Sequence, residues 1–321
     1  ALNQLGLKAK SLSAAQFGMK TTSNFSRAKI LDLDKNIIFK TIEDGYIPII
    51  TGFQGVTNEG DTTTMGRGGS DTTAVAIAAS IKSKRCDIYT DVDGIYTTDP
   101  RIVPDAKKLD SISIEEMLEL AGQGAKVMQI RAVEFANKYK VLVRVLSSFE
   151  PGSGTLILQE EDGMEDAVIT GIASQTDQTK FTLHGVVDTP GIASGILSPV
   201  SEAGIEVDVI VQNVSVSGKT DFTFTVGTSD RVEVESVLKE KMQGISFDEL
   251  IIDEGIGKVS LVGVGMRSHA GIASTAFNAL ADAGINIQMI STSEIKITIV
   301  ISKEQLEDAV KTLHEAFNLG D

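Results

Sequence analysis

The stretch Gly191-Ile192-Ala193-Ser194 recurs 80 positions later as Gly271-Ile272-Ala273-Ser274. The match continues downstream, where Ala203-Gly204-Ile205 corresponds to Ala283-Gly284-Ile285. A sequence that returns at a fixed interval indicates repeated copies of one structural unit. The repeat therefore decides how the C-terminal half of the chain is organised.

Each copy of the repeat has the pattern of a small α/β unit. An alternating strand precedes the Gly-Ile-Ala-Ser stretch, a helix follows it, and two strands and a second helix come next. This order predicts a βαββαβ sandwich, made twice. The predicted strands are Phe181–Val187, Asp221–Val226, Val259–Val264 and Ile295–Ile301, and the predicted closing helices are Arg231–Met242 and Lys303–Ala316.

Residues 1–148 alternate short apolar runs with helical patterns, which is typical of an α/β sheet with ligands at its strand ends. The predicted strands are Lys8–Leu12, Ile47–Thr51, Asp87–Thr90 and Val141–Val145. The predicted helices are Asp71–Lys82, Ile114–Leu120 and Lys126–Lys138.

A domain boundary is expected near residue 150. Pro151-Gly152-Ser153-Gly154 has the composition of a loop, and the acidic tract Glu160-Glu161-Asp162-Gly163 follows soon after it. We therefore predict a first domain at 1–150, a linker at 151–166, a first repeat unit at 167–245 and a second repeat unit at 246–321.

Composition and charge exclude several classes of protein. The 321 residues suffice for two or three domains, each with its own core. The formal net charge of −15 argues against a nucleic-acid binder, which needs a basic face. No apolar run approaches the roughly 18 residues of a membrane span. The single cysteine, Cys86, fits a reducing cytoplasm, and the histidines show no metal-ligand spacing. We expect no nucleic acid, no membrane and no protein-built metal site.

Gly66-Arg67-Gly68-Gly69-Ser70-Asp71 has the composition of an anion-binding loop. Glycines let the backbone approach a ligand, and the predicted helix that follows points its first amides at it. The P-loop spacing is missing. Arg67 has the donors to bind a carboxylate through two parallel hydrogen bonds. A surface turn before a helix is the alternative, and the flanking Arg67 and Asp71 favour a site.

The segment Thr90–Arg101, with the sequence TDVDGIYTTDPR, follows an apolar strand. Its Asp-x-Asp-Gly sequence suggests calcium, but the glycine and glutamate spacing of an EF-hand loop is absent. Acceptor groups, an aromatic ring and Arg101 suit a nucleotide, with the arginine directed at phosphate. Taken alone, the segment leaves a solvated loop as the alternative.

The segment Gly122-Gln123-Gly124-Ala125-Lys126-Val127 leads into the third predicted helix, with Lys126 in its first turn. A cation at that position opposes the helix dipole. It is better explained if a phosphate lies between the lysine and the helix. An ordinary solvated lysine is the alternative.

In this order and spacing, the three segments resemble the aspartate kinase family of the amino-acid kinase fold. Pro48-Ile49-Ile50-Thr51-Gly52-Phe53-Gln54-Gly55 matches the family as a strand and loop. The tandem repeat resembles the family's pair of ACT modules, including Gln212-Asn213-Val214-Ser215 and Ile290-Ser291-Thr292-Ser293-Glu294. The resemblance covers the whole chain. It implies a carbamate-kinase-like α/β sheet sandwich followed by two ACT βαββαβ modules.

The resemblance also implies an activity. It implies transfer of the γ-phosphoryl group of ATP, with Mg²⁺, to the side-chain carboxylate of L-aspartate, the first step of lysine, threonine and methionine biosynthesis. By the same resemblance, Arg67 binds the aspartate carboxylate, and Asp71 organises the phosphate-binding groups with Ser70 beside it. The residues implied in nucleotide binding are Thr90, Asp91, Tyr96, Arg101 and Lys126.

The ACT modules imply feedback inhibition by lysine, threonine or both. At Asp188–Ala193, amides at a helix start can bind a carboxylate, and Asp188 can receive an ammonium group. In the ACT family the effector bridges from there to the strand of a partner module, which implies a homo-oligomer. Glycines that only start a helix are the alternative. The implied effector residues are Asp188, Gly191, Ile192, Ala193, Gln212, Asn286, Ile287 and Ser293.

One family feature is missing. The family opens with a strand Lys-Phe/Tyr-Gly-Gly-Thr/Ser-Ser/Thr whose lysine bridges the phosphates, whereas this chain begins at Ala1, well inside the kinase domain. We therefore expect the polypeptide alone to be inactive. An amino-acid-binding regulatory fragment is one alternative, and Met164 permits a separately started regulatory subunit. An acetylglutamate or glutamate kinase is another alternative, which the ACT pair disfavours.

Overall fold

The chain forms two compact units. The computed structural model describes residues 1–125, 127–159, 168–213, 218–241 and 245–320, apart from the side chains of residues 267 and 268. Unit 1 contains Ala1–Thr97 and Lys107–Asp166, and unit 2 contains Thr98–Ala106 and Ala167–Asp321.

Unit 1 alternates short strands and helices. Its strands are β1 Ala9–Leu12, β2 Lys20–Thr21, β3 Ile30–Asp32, β4 Ile47–Ile50, β5 Gln54–Val56, β6 Thr62–Thr64, β7 Cys86–Thr90, β8 Ser111–Ser113, β9 Val143–Ser147 and β10 Thr155–Leu158. Its helices are α1 Ala14–Phe17, α2 Lys35–Glu43, α3 Gly69–Ser80, α4 Ile114–Gly122 and α5 Ile130–Tyr139.

These strands form three small sheets. Strands β1 and β4 run parallel, a second sheet has the order β7-β9-β10-β8, and a third has the order β3-β2-β5-β6. Strands β7 and β9 are also parallel, and β7 ends at Thr90. The segment Thr90–Arg101 therefore starts at the carboxyl end of a parallel strand, where ligands bind in open α/β sheets.

The predicted strands and helices of unit 1 are present, with one correction. The prediction that the third helix begins at Lys126 is wrong, because α5 begins at Ile130. The side chain of Gln129 caps this helix by accepting a hydrogen bond from the amide of Ala132 at 3.2 Å. Lys126 precedes the helix and lies outside the described residues.

Unit 2 carries the two copies of the repeat. Its strands are β11 Gly171–Gln175, β12 Gln178–Val187, β13 Val207–Gln212, β14 Lys219–Gly227, β15 Glu249–Asp253, β16 Ile256–Val262, β17 Met289–Thr292 and β18 Lys296–Ser302. Its helices are α6 Ile192–Glu202, α7 Arg231–Lys241, α8 Ile272–Asp282 and α9 Leu306–Ala316.

Each of the two sheets of unit 2 contains one outer strand from the sequence range that was predicted for the other module. The first copy forms the order β13-β14-β12-β15, which completes a βαββαβ module. The second copy forms β17-β18-β16, and its fourth strand is β11, which precedes both copies and pairs antiparallel with β16. The ranges 167–245 and 246–321 therefore do not divide the sheets, since β11 and β15 each lie in the other copy's range.

Each module buries an apolar core. In the first, Phe181 and Phe224 stack with ring centroids 5.4 Å apart, and Val234 and Leu238 of α7 join the same core. Inward-facing residues alternate along the strands, as the twofold period of a strand requires. The buried residues of the second core include Ile172, Val259, Leu261, Leu280, Ile299 and Leu313.

A short segment from the first half of the sequence belongs to this second core. Val103, only 8% exposed, lies in the cluster that contains Leu313 and Leu319. The predicted first domain at 1–150 is thus interrupted by Thr98–Ala106. No helix within the described residues has the length and apolar character to cross a bilayer.

Candidate functional site

The loop between β6 and α3 depends on glycine for its shape. Gly66 has a φ of 81° and Gly68 a φ of 67°. A Cβ atom on Gly68 would lie 2.4 Å from the Cβ of Gln129, so no side chain fits there. The loop therefore passes directly against the start of α5. Arg67 lies exposed between the two glycines.

Asp71 in the first turn of α3 connects this loop to the start of α5. Burial raises the pKa of Asp71, while hydrogen bonds from the backbone amide of Gln129 and from the Ser70 hydroxyl, 3.5 Å away, stabilise its carboxylate. The hydroxyl of Thr72 donates to the side-chain oxygen of Gln129 at 3.4 Å. The first motif and Gln129, which lies two residues after the third motif, thus form one hydrogen-bonded group.

The loop after β4 adjoins the same group. The amide of Phe53 donates to the hydroxyl of Thr73 at 3.1 Å, and that hydroxyl donates to the carbonyl of Gly69 at 2.8 Å. A Cβ atom on Gly52 would lie 3.2 Å from the Cα of Ser70. The segment Pro48–Gly55 therefore contacts the start of α3.

Asp93 organises the turn that follows β7. Burial opposes its charge, but hydrogen bonds from Lys108 at 3.0 Å and from the Tyr96 hydroxyl at 2.8 Å outweigh burial and lower the pKa of the carboxyl. Burial and the bond to Asp93 raise the pKa of Tyr96. The Tyr96 hydroxyl is thus hydrogen-bonded within the turn.

The same turn is fixed by backbone contacts. The amide of Ile95 donates to the hydroxyl of Thr155 at 2.9 Å, and a Cβ atom on Gly94 would lie 2.6 Å from that hydroxyl. At the end of β7, the Thr90 hydroxyl donates to the Asp91 carboxylate at 3.0 Å. Asp91 is exposed, so its carboxylate is accessible to a ligand.

Two further residues, Arg101 and Lys126, were predicted to bind the nucleotide. Arg101 belongs to unit 2, where its guanidinium binds Asp99 through Nη2 at 2.7 Å and Nε at 3.0 Å. Lys126 lies outside the described residues. The participation of Thr90, Asp91, Tyr96, Arg101 and Lys126 in nucleotide binding stays a prediction.

The predicted effector residues lie at helix starts and on outer strands of unit 2. Gly191 precedes α6 and Gly271 precedes α8, with φ angles of 94° and 95°, and the space where a Cβ atom would lie is open at both. Asp188 is exposed just before α6. The other predicted residues lie at the end of β13 (Gln212), in the loop before β17 (Asn286, Ile287) and just after β17 (Ser293).

Sequence reasoning missed the residues that connect the motifs. Gln129 contacts the first motif, Arg131 binds the carbonyl of Met65 directly before that motif, and Lys108 binds Asp93. The available signal was the polar pair Gln129 and Arg131 at the start of a helical pattern. It was not usable because the contacting partners lie far away in the sequence.

Known proteins share this architecture. A profile of the amino acid kinase family matches residues 1–147, and a profile of the ACT domain matches residues 259–317. An aspartokinase of Pseudomonas aeruginosa is 54% identical over 321 residues, which cover 99% of this chain and 78% of that protein. An aspartokinase of Helicobacter pylori is 47% identical, with 99% of this chain and 79% of that protein covered.

Solved structures agree. Aspartokinase III of Escherichia coli, solved in complex with aspartate and ADP, superposes with a TM-score of 0.84 at 30% identity, over 98% of this chain and 71% of that one. The aspartate kinase of Clostridium acetobutylicum gives a TM-score of 0.80 at 27% identity, over 99% and 72%.

An amino-acid kinase unit followed by paired ACT modules defines a class of kinases under amino-acid control. Within that class, the two relatives described above, at 54% and 47% identity over nearly the whole chain, are aspartokinases. The chain belongs to the aspartate kinase family.

Proposed function

We propose that the loop Gly66–Asp71 presents L-aspartate to the γ-phosphate of ATP. An aspartate kinase transfers that phosphoryl group to the side-chain carboxylate of aspartate and so forms 4-phospho-L-aspartate. The attacking carboxylate is already ionised at neutral pH, so the site needs no general base. Its task is to position two anions and neutralise their charge.

Arg67 is proposed to bind the aspartate, because it is exposed between two glycines beside a helix start. A guanidinium binds a carboxylate through two parallel hydrogen bonds. Asp71 is proposed to hold the amide of Gln129 against the first turn of α3, with Ser70 beside it. This hydrogen bond is the observation that supports the proposal, since it joins the proposed substrate loop to Gln129, which follows Lys126 by three positions in the sequence.

The nucleotide is proposed to bind at the end of β7. Thr90 and Asp91 offer oxygen acceptors, and the ring of Tyr96 offers an apolar surface held in place by Asp93. Lys126 and Arg101 are proposed to contact phosphates. A bound ADP in the related Escherichia coli enzyme supports a nucleotide site in this family.

Mg²⁺ is proposed to accompany the nucleotide. Among the described residues, no three carboxylate, imidazole or thiol groups converge to hold a metal ion. That fits Mg²⁺, which keeps its waters and is held mainly by phosphate oxygens with one or two carboxylates. Asp71 and Asp91 have the right donor atoms. When bound, the ion neutralises charge that builds up on the phosphates.

The ACT modules are proposed to bind lysine, threonine or both, through the residues at Asp188–Ala193 and on β13 and β17. A related aspartokinase III has been solved with lysine and aspartate. The exposed outer strand β13 is proposed to pair with a second copy of the chain, because unpaired strand edges attract partners. A cytoplasmic location is proposed from the single cysteine, Cys86, which is buried.

Trapping the acyl phosphate tests the activity. The full-length gene product is incubated with ATP, Mg²⁺, L-aspartate and hydroxylamine, which displaces phosphate from the acyl phosphate and leaves an aspartyl hydroxamate. We expect hydroxamate and ADP in equal amounts with L-aspartate, and no hydroxamate with L-glutamate or N-acetyl-L-glutamate. Hydroxamate from either of the latter, with none from aspartate, would contradict the proposal.

A further inference from the structure

Arg131 lies in the first turn of α5 and contacts two loop residues, Ala28 before β3 and Met65 after β6. Its Nη1 donates to the carbonyl of Met65 at 3.0 Å, and its Nη2 donates to the carbonyl of Ala28 at 3.1 Å. Met65 is 2% exposed and Ala28 is fully buried. One guanidinium therefore joins two buried backbone carbonyls to the helix that starts after Gln129.

The two carbonyls belong to a backbone that is otherwise paired. The amide of Met65 donates to the carbonyl of Phe53 at 3.0 Å, and the amide of Ala28 donates to the carbonyl of Thr64 at 3.0 Å. The amides of Met65 and Ala28 are therefore paired with the backbone, and Arg131 supplies hydrogen-bond donors to the carbonyls of the same two residues. Buried carbonyls need such partners, because an unpaired one carries a desolvation cost.

The substrate loop turns immediately after this contact. Met65 is followed by Gly66, whose φ is 81° and whose Cβ position would lie 3.1 Å from the carbonyl oxygen of Ser26. Arg67 is the next residue, so only Gly66 separates the anchored residue from the side chain proposed to bind aspartate. A rotation of the Met65 carbonyl would therefore change the backbone angles of Gly66 and the direction of the Arg67 side chain.

The fork of an arginine suits this contact. Its planar guanidinium presents two terminal donors at a fixed spacing, whereas a lysine has a single ammonium on a flexible stem. Arg131 uses the two terminal nitrogens for two different carbonyls. A lysine at this position retains the charge and loses the fixed double contact.

We propose that Arg131 is a positioning residue for aspartate: by holding the carbonyls of Met65 and Ala28, it sets the geometry of Gly66 and so the placement of Arg67. The inference rests on the proposed role of Arg67. Arg131 does not contact substrate in this account and acts only through the loop.

Steady-state kinetics of the full-length gene product test the inference. Arg131→Met is expected to raise the KM for aspartate about tenfold or more, because small misplacements of a binding group have large kinetic effects. The KM for ATP is expected to change by less than about twofold. Arg131→Lys is expected to lie between wild type and Arg131→Met, and added guanidinium ion to restore part of the aspartate KM in Arg131→Met.

A double-mutant cycle separates positioning from simple loss of structure. If Arg131 acts through Arg67, then Arg131→Met adds little to the aspartate KM once Arg67→Ala is present. Arg144→Met serves as the control, because Arg144 is another half-buried arginine of unit 1 that pairs with Asp87 at 2.8 Å. We expect the control to leave the aspartate KM unchanged.

Two outcomes distinguish the positioning role of Arg131 from the proposed aspartate-binding role of Arg67, on which it rests. An unchanged aspartate KM in Arg67→Ala would overturn the proposed role of Arg67 itself. A raised KM in Arg67→Ala, together with Arg131 variants that leave the aspartate KM unchanged, change both substrate KM values equally, or add fully to Arg67→Ala, would overturn the positioning role alone.

Discussion

The ammonium group of Lys258 on β16 lies against the carboxylate of Asp208 on β13, so an ion pair joins the sheets of the two ACT modules. The lysine side chain is only 1% exposed, and Asp208 is about one-third exposed. The pKa of Lys258 is lowered to about 8, mainly by burial and also by the nearby charge of Lys296, while Asp177 opposes the shift. At neutral pH Lys258 is therefore still charged, and burying this charge destabilises the folded state.

Stability should therefore rise with pH above neutrality. The pKa of Lys258 is near 8 when folded and near 10.5 as a model value, so the unfolded chain binds more protons between these values. Relative to Lys258→Met, the wild type should gain up to roughly 3 kcal/mol as pH rises from about 8 to about 10.5. Unfolding midpoints of both proteins across this range measure the gain. Parallel pH curves would show that Lys258 is not the cause.

Val103 should contribute to the stability of unit 2 despite its position in the first half of the sequence. It lies in the core with Leu313, so Val103→Ala removes buried methyl groups and should cost about 1–3 kcal/mol. The thermal unfolding of the ACT modules reports the loss. Val232→Ala is the matched control, because Val232 is 69% exposed on α7. Equal midpoints for the two variants would contradict the packing of Val103.

Lysine, threonine or both should bind the ACT modules and weaken kinase activity. Coupling of this kind is typically about 1–3 kcal/mol. Gln212→Ala and Ser293→Ala should lose inhibition and keep basal activity, because both exposed residues are proposed to bind the effector and neither is proposed to bind a substrate of the kinase reaction. Calorimetry with each amino acid alone and with the mixture measures binding. A folded protein that binds neither amino acid under any of these conditions would remove the regulatory proposal.

Local chemistry made part of this structure predictable. The loop Gly66–Asp71 could be recognised because glycines and charges act within a few residues of each other. The repeat could be recognised because Gly191 and Gly271 start equivalent helices in equivalent modules. In both cases the residues that determine the local structure lie within a few positions of each other in the sequence.

Long-range contacts made the rest unpredictable. Strand β11 is apolar enough for either sheet, and its pairing with β16 depends on a partner more than 80 residues away. Gln129 is a less common capping residue than serine or aspartate, so the start of α5 was placed too early. The acceptors of Arg131 lie 66 and 103 residues from it along the chain.

The aspartate kinetics of Arg67→Ala in the full-length gene product test the central claim most directly. Loss of a bidentate charged contact is expected to lower kcat/KM for aspartate by a factor equivalent to about 1.5–3 kcal/mol, with the KM for ATP nearly unchanged. Arg85→Ala, which removes an arginine paired with Asp87 at 2.6 Å, serves as the control and should leave aspartate kinetics unchanged. An Arg67→Ala enzyme with wild-type aspartate kinetics would contradict the account.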